Sequence, residues 1–152
     1  MSFLTLEQAE TICNAAMEMG KEEGFNPITV AVYDAGGALR VVKHPDPATV
    51  ARSHMALAKA WGAYATGSPT RALAERHKRM PELVNNMNLI FGGQVLPVPG
   101  GVLIRDASDN ILGAVGCAGD RPHRDEACAI AGVKAAGLIP EPETPVDPES
   151  EA

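Results

Sequence analysis

Apolar residues recur every three or four positions near the start of the chain, at Leu6, Ala9, Cys13, Ala16, Met17 and Gly20. That spacing places them on one face of a helix. Thr5 stands where an N-cap belongs, Gln8 follows in capping-box spacing, and Gly24 is a natural stop. From Ile28 to Tyr33 the pattern changes to a β-branched run. Asp34 to Gly37 carries turn chemistry and Leu39 to Lys43 reads as the return strand of a hairpin.

The segment His44-Pro45-Asp46-Pro47-Ala48 breaks the sheet. A second helix is predicted from Ala48 to Ala65, capped by Asp46 or Thr49, with Val50, His54, Leu57, Ala58 and Trp61 as its inward stripe. Two short helices follow, one from Thr70 to His77 and one from Pro81 to Phe91, with Pro81 in the first turn of the second. Residues 92–101 read as a loop or edge segment. Gly101 to Asp106 and Asn110 to Gly119 form a second hairpin about the turn Ala107-Ser108-Asp109-Asn110. The last helix runs from Arg124 to Leu138 with acids in its first turn, where the helix dipole favours them, and Pro140 ends it. The order helix, hairpin, helices, hairpin, helix predicts an α+β domain over residues 1–139, built on an antiparallel sheet of four to five strands with helices packed on it. Residues 140–152 have the Pro/Glu composition of a disordered acidic tail.

Composition sharpens this picture in two ways. Aromatic residues are only 4% of the chain, so the core must be built from Ala, Val, Leu, Ile and Met. So many small side chains permit close backbone approach or a subunit interface. The net charge of −6 is concentrated at the end, at Glu141, Glu143, Asp147, Glu149 and Glu151. The body is near neutral and lacks the clustered basic face that nucleic-acid binding needs. No run of eighteen apolar residues and no basic-then-apolar leader occurs, so neither a membrane span nor a signal peptide is expected. Cys13, Cys117 and Cys128 are widely spaced without a CxxC, which predicts reduced thiols in a cytoplasmic protein.

The stretch from Pro97 to Gly119 is rich in glycine, but no Lys-Ser/Thr follows it and Gly113 and Gly116 fall inside a strand pattern. It is therefore not a phosphate loop. Its glycines admit a close neighbour, either a helix or a ligand. Of the four histidines, His44, His54, His77 and His123, no two lie at i,i+3 or i,i+4. His123, Asp125 and Glu126 gather near one helix start, but acids there more often complement the dipole, and no metal is expected. Cys117 reads as a small buried residue, His54 as a hydrogen-bonded core histidine and Asp34 as a turn residue. Lys59 and Arg52 read as solvated.

Four segments carry a resemblance: VAVYDAGGALRVV, ALAKAWGAYATGSPTRAL, LPVPGGVLIRD and ILGAVGCAGDRPHRDEACAIAG. In this order they resemble the GlcG/HbpS-type haem-binding and haem-degrading family, which is similar to the C-terminal domain of PduO-type proteins. The resemblance covers residues 3–138. It implies a profilin-like fold, a homo-oligomer (dimer, tetramer or octamer), and haem or another small ligand in a surface or intersubunit pocket of a catabolic-pathway protein. The chain departs from the family at His44–Ala48, where members commonly have Met-Asp-Gly-Ala, and at Arg124, where many have Gln.

The resulting expectation is a cytoplasmic, oligomeric small-molecule-binding protein whose ligand is haem or a relative. His44 or His123 would be the axial ligand, Leu96, Val98 and Val102 would meet the macrocycle, and Arg71 or Lys59 would face a propionate. Pro99, Gly100 and Gly101 would line the pocket, with Asp125 and Glu126 at its rim. The alternative is a cofactor-independent isomerase or lyase acting on a small oxo- or hydroxy-acid. There Asp125 or Glu126 would be the general base, His44 or His123 the acid, and the amides near Gly100 and Gly101 an oxyanion site.

Overall fold

The computed structural model describes residues 3–151. Its elements are α1 (Leu6–Glu22), β1 (Thr29–Asp34), β2 (Leu39–Lys43), α2 (Ala51–Thr66), α3 (Thr70–Arg79), α4 (Pro81–Ile90), β3 (Gly101–Arg105), β4 (Ile111–Ala118), α5 (Pro122–Ala135) and β5 (Ile139–Glu141), with a short 3₁₀ turn at Pro148–Glu151. The strands form one antiparallel sheet in the order β2-β1-β4-β3-β5. This is the α+β architecture the pattern predicts. The capping box is present at α1: Gln8 N–H donates to Thr5 Oγ1, and Thr5 N–H donates to Gln8 Oε1, both at 3.0 Å.

Strand alternation divides the core into two unlike faces. Val30 and Val32 of β1, Val102 and Ile104 of β3, and Val115 and Cys117 of β4 point to one side. There they pack against α1 and α5 through Ile12, Ala16, Ile130 and Val133. The residues between them point the other way and, Leu103 apart, are small: Ala31, Gly101, Ala114, Gly116 and Ala118. Against these lies α2, through Ala56, Ala60 and Ala63. A Cβ on Gly116 would collide with the carbonyl of Ala56 and come within 2.5 Å of Ala60 N, so the helix rests directly on the strand backbone.

This close packing corrects the expected orientation of α2. The sheet accepts its alanine face, and the predicted stripe is divided: His54 is exposed and Val50 is 77% exposed, whereas Leu57 is half-buried against the alanine cluster and Trp61 lies edge-on to Tyr33. His54 is not a core histidine. The expected cap is also absent. Val50 occupies the N-cap position of α2 with no side-chain hydrogen bond, and Arg52 N–H is satisfied by the Thr49 carbonyl instead.

The chain does not leave the fold at Pro140. Ile139–Glu141 adds β5 to the edge of β3, with Pro140 opposite Ile104 and Glu141 paired to Arg105 at 2.8 Å. An outermost strand is where a proline lacking its N–H is tolerated. The expected tail boundary is thus displaced beyond Glu141.

Candidate functional site

The site grows from the end of α2. Gly67 adopts a left-handed conformation that stops the helix, and α3 begins at once with Thr70. Because α2 lies against the sheet backbone, Thr70 meets the start of β3: Gly101 N–H donates to Thr70 Oγ1 at 2.7 Å. The next residue, Arg71, then reaches the first turn of α5 and forms a two-pronged pair with Glu126, one arm Nε–Oε2 at 3.0 Å and the other Nη2–Oε1. Glu126 is fully buried, and its Oε1 also accepts the Val146 N–H at 2.7 Å. Arg71 Nη2 donates in addition to the Thr144 carbonyl. One carboxylate–guanidinium pair therefore joins α3, α5 and the segment after β5.

A second buried pair lies behind it. Lys59, only 1% exposed, donates from Nζ to Asp125 Oδ2 at 2.9 Å and to the Cys117 carbonyl at 3.1 Å. Asp125 Oδ1 accepts the Asp120 N–H at 2.9 Å, which fixes the turn into α5. Burial pushes the Asp125 carboxyl up, while Lys59 beside it and the Asp120 amide pull the other way. Asp120 is held below the usual carboxylate range. Burial opposes this, but the amides of Asn26 and Arg121 and the Arg124 guanidinium outweigh it.

Between α3, residues 97–99, the start of α5 and the segment after β5 lies a cavity of about 550 Å³. Ala74, Pro97, Val98, Pro99, Pro122, Val146 and Pro148 give it apolar walls. Of its cations, Arg71 is paired with Glu126 and Lys78 with Glu75 at 3.1 Å, Arg121 stands beside them, and His77 and His123 add imidazoles. Among the described residues, no three His, Cys, Asp or Glu gather closely enough to hold a metal ion.

The structure brings together only part of the sequence-derived set. Arg71, Val98, Pro99 and His123 line the cavity. His44 lies elsewhere, with Nδ1 3.2 Å from Thr29 Oγ1 and Nε2 3.1 Å from the Ala48 carbonyl. Asp125 and Glu126 stand behind the wall, not at the rim, each held by a cation. Lys59 is buried rather than solvated, and Val102 belongs to the core.

Gly100 and Gly101 face protein and not ligand space. A Cβ on Gly100 would lie 2.8 Å from Lys59 Nζ, and one on Gly101 would strike the Lys59 carbonyl. The Gly101 amide, expected in an oxyanion site, is taken by Thr70. Cys117 is fully buried and burial raises its thiol pKa well above the ordinary value, so it offers no thiolate. His77, Lys78, Arg121 and Val146 were not anticipated. The signal for Lys59 was present: it lies beside Ala56, Ala60 and Ala63 on one helical face.

The chain matches the family described as "Haem degrading protein HbpS-like" over residues 4–134. Its fold is that of the crystal structure of HbpS, with 30% identity and a TM-score of 0.75 over 88% of this chain and 90% of that one. A double mutant of the Streptomyces reticuli HbpS is equally similar, at 30% identity and TM-score 0.75 over 88% and 87% of the two chains. The crystal structure of a PduOC:heme complex shares the fold at TM-score 0.81 and 22% identity, over 90% of this chain and 97% of that one. None of the curated proteins matches the chain.

Proposed function

The chain belongs to the HbpS-like family of haem-degrading proteins, and from that premise we propose that it binds haem or a related small molecule in the cavity between α3, residues 97–99 and the start of α5. The observation that carries this reading is the make-up of that cavity. Haem offers an apolar macrocycle, two carboxylates and an iron that takes imidazole as ligand. The cavity offers Pro97, Val98 and Pro99 as apolar surface, Arg121 and, by exchange from Glu75, Lys78 as carboxylate partners, and His123 as imidazole. Its volume lies within the roughly 300–1,000 Å³ of small-molecule sites. Bound there, haem would supply a redox-active iron, while the protein's residues orient it and neutralise its carboxylates.

Haemin titration tests the reading. The account expects saturable binding with a displaced Soret band, weakened and shifted again in His123→Ala. Linear, unsaturable uptake by the parent would overturn it.

A homo-oligomer in the cytoplasm is part of the same proposal. Cys13, Cys117 and Cys128 are free and buried, which fits a reducing compartment. Val50, Leu89 and Ile90 leave apolar surface for a second copy to cover. No helix among the described residues is long and apolar enough to cross a membrane. The isomerase or lyase alternative would need Glu126 released from Arg71 and Val146 before it could act as a base, so the cavity favours ligand binding.

A further inference from the structure

The stripe predicted on α2 is only partly absorbed by the core, and the rest of it borders a second cavity. His54, Leu57, Ala58 and Trp61, at i, i+3, i+4 and i+7, form one side of a hollow of about 260 Å³. Tyr33, near the end of β1, and the loop residues Gly93 and Gln94 complete its lining. That loop is pinned one residue further on. Val95 is buried, its N–H donates to Asn88 Oδ1 at 2.9 Å, and its Cγ1 lies 3.2 Å from where a Cβ on Gly62 would stand. Gly62 follows Trp61 in α2, so the anchor brings the loop to the tryptophan. The hollow shares no lining residue with the cavity assigned to haem and has less than half its volume.

The chain has one tryptophan and two tyrosines, and all three meet here. Centroid to centroid, the Trp61 ring lies 5.6 Å from Tyr33, edge-on, and 5.3 Å from Tyr64. The Trp61 indole nitrogen is buried and makes no hydrogen bond among the described residues. A buried donor without a partner bears its full desolvation cost, which is why nearly all such donors in native proteins have one. No Lys, Arg, Asp or Glu among the described residues lines the hollow. We propose that it is a second ligand site, taking a small uncharged aromatic molecule whose carbonyl oxygen accepts the Trp61 N–H. Tyr33 and Trp61 suit a flat ring, which packs against aromatic side chains offset or edge to face. Leu57 and Ala58 add aliphatic surface, and the exposed His54 and Gln94 can meet a polar substituent. A carboxylate is disfavoured, since it would lose water with no cation to replace it. The site is independent of the haem reading.

Trp61 is the chain's only tryptophan, so its indole N–H gives a single side-chain signal in a proton–nitrogen correlation spectrum of the full-length protein. Titration with benzamide should move that signal downfield along a saturable curve, as the N–H gains an acceptor. Ethylbenzene, which offers a ring and no acceptor, should give no downfield shift. Benzoate should bind about tenfold or more weakly than benzamide. No saturable shift with benzamide overturns the proposal, a downfield shift with ethylbenzene overturns the hydrogen bond, and equal affinity for benzoate overturns the ligand class. Ala58→Leu fills the hollow from its half-buried side and should weaken benzamide about tenfold. Unchanged affinity in that variant would put benzamide elsewhere and overturn the site. His123→Ala should titrate with benzamide as the parent does, whatever its haemin binding. A lost response there would merge the two cavities into one site and overturn the proposal. A Trp61 signal that moves with protein concentration and not with benzamide would mean that a second copy covers the stripe, which overturns it as well.

Discussion

The two faces of the sheet solve the packing problem in opposite ways. On the side of α1 and α5, branched aliphatics from three strands fill a thick layer, and stability comes from the area they bury. On the side of α2, alanine and glycine bring helix and strand backbones into contact at Gly101 and Gly116, where the layer is too thin for a side chain, and Leu103 fills the wider end beside Ala63. The thick face tolerates small changes in volume because a neighbour can shift. The thin face cannot, since its neighbours are backbone. The candidate site follows the thin face. Only a helix lying this close delivers Lys59 to Asp125, Thr70 to the start of β3, and Arg71 to Glu126.

Gly116→Val should break this contrast most severely. Its new side chain meets the backbone of α2 with nowhere to go, and we expect loss of the cooperative thermal transition. On the thick face Ile12→Val should cost only about 0.5–1.5 kcal/mol by denaturant melts. Comparable losses at the two positions would dissolve the distinction.

Lys59→Met comes next. It leaves Asp125 buried without its partner and should destabilise the fold by about 3–5 kcal/mol. The double variant Lys59→Met/Asp125→Leu should recover much of that loss, because an apolar pair needs no desolvation of charge. A double variant no better than the single would mean that the pair holds α5 by hydrogen bonding to the Asp120 amide and the Cys117 carbonyl.

The thick face has its own pH signature. Burial pushes the Cys13 and Cys128 thiols up to about 12. In the unfolded chain they ionise near their ordinary value, so above it the unfolded state holds fewer protons than the native one. Stability contributed by these thiols is therefore complete below the ordinary thiol range and lost as pH rises towards about 12. Melting temperature should fall steadily above about pH 9 in the parent and less steeply in Cys13→Ala/Cys128→Ala. Equal slopes would show that the alkaline loss has another source. The smallest effect is expected far from both faces' centres: Thr5→Ala, which removes the capping box of α1, should cost about 1 kcal/mol.

Elements with a strong local period were legible in the sequence, and partners across the fold were not. The capping box of α1, the two hairpins, and the break between α3 and α4 at Pro81 all follow from nearest neighbours in the chain. The orientation of α2 does not. Its stripe of Val50, His54, Leu57 and Trp61 is the more apolar, and a rule that turns the most apolar side inward chooses it, yet Val50 and His54 end up exposed. What reverses the choice is the shape of the sheet, which accepts only Ala56, Ala60 and Ala63. The same reversal hid Lys59, which reads as solvated until the alanine face is known to be inside. The strand at Ile139–Glu141 was masked by Pro140 and by the acids after it. At the site, Arg71, Pro99 and His123 were named from the chain. Lys78 and Arg121 come from segments apart in sequence, and only the fold places them around one hollow.

The most direct test of the cavity as the ligand site is a haemin titration of the parent, His123→Ala and His44→Ala, followed at the Soret band. Both histidines stand near loops, but of the two His123 lines the cavity and His44 lies elsewhere, beside Thr29 and Ala48. The account predicts saturable binding by the parent, the same spectrum and affinity in His44→Ala, and in His123→Ala an affinity lower by about tenfold or more with a displaced band, because the axial ligand sets the electronic state of the iron. A parent-like titration of His123→Ala, or a loss confined to His44→Ala, would contradict it.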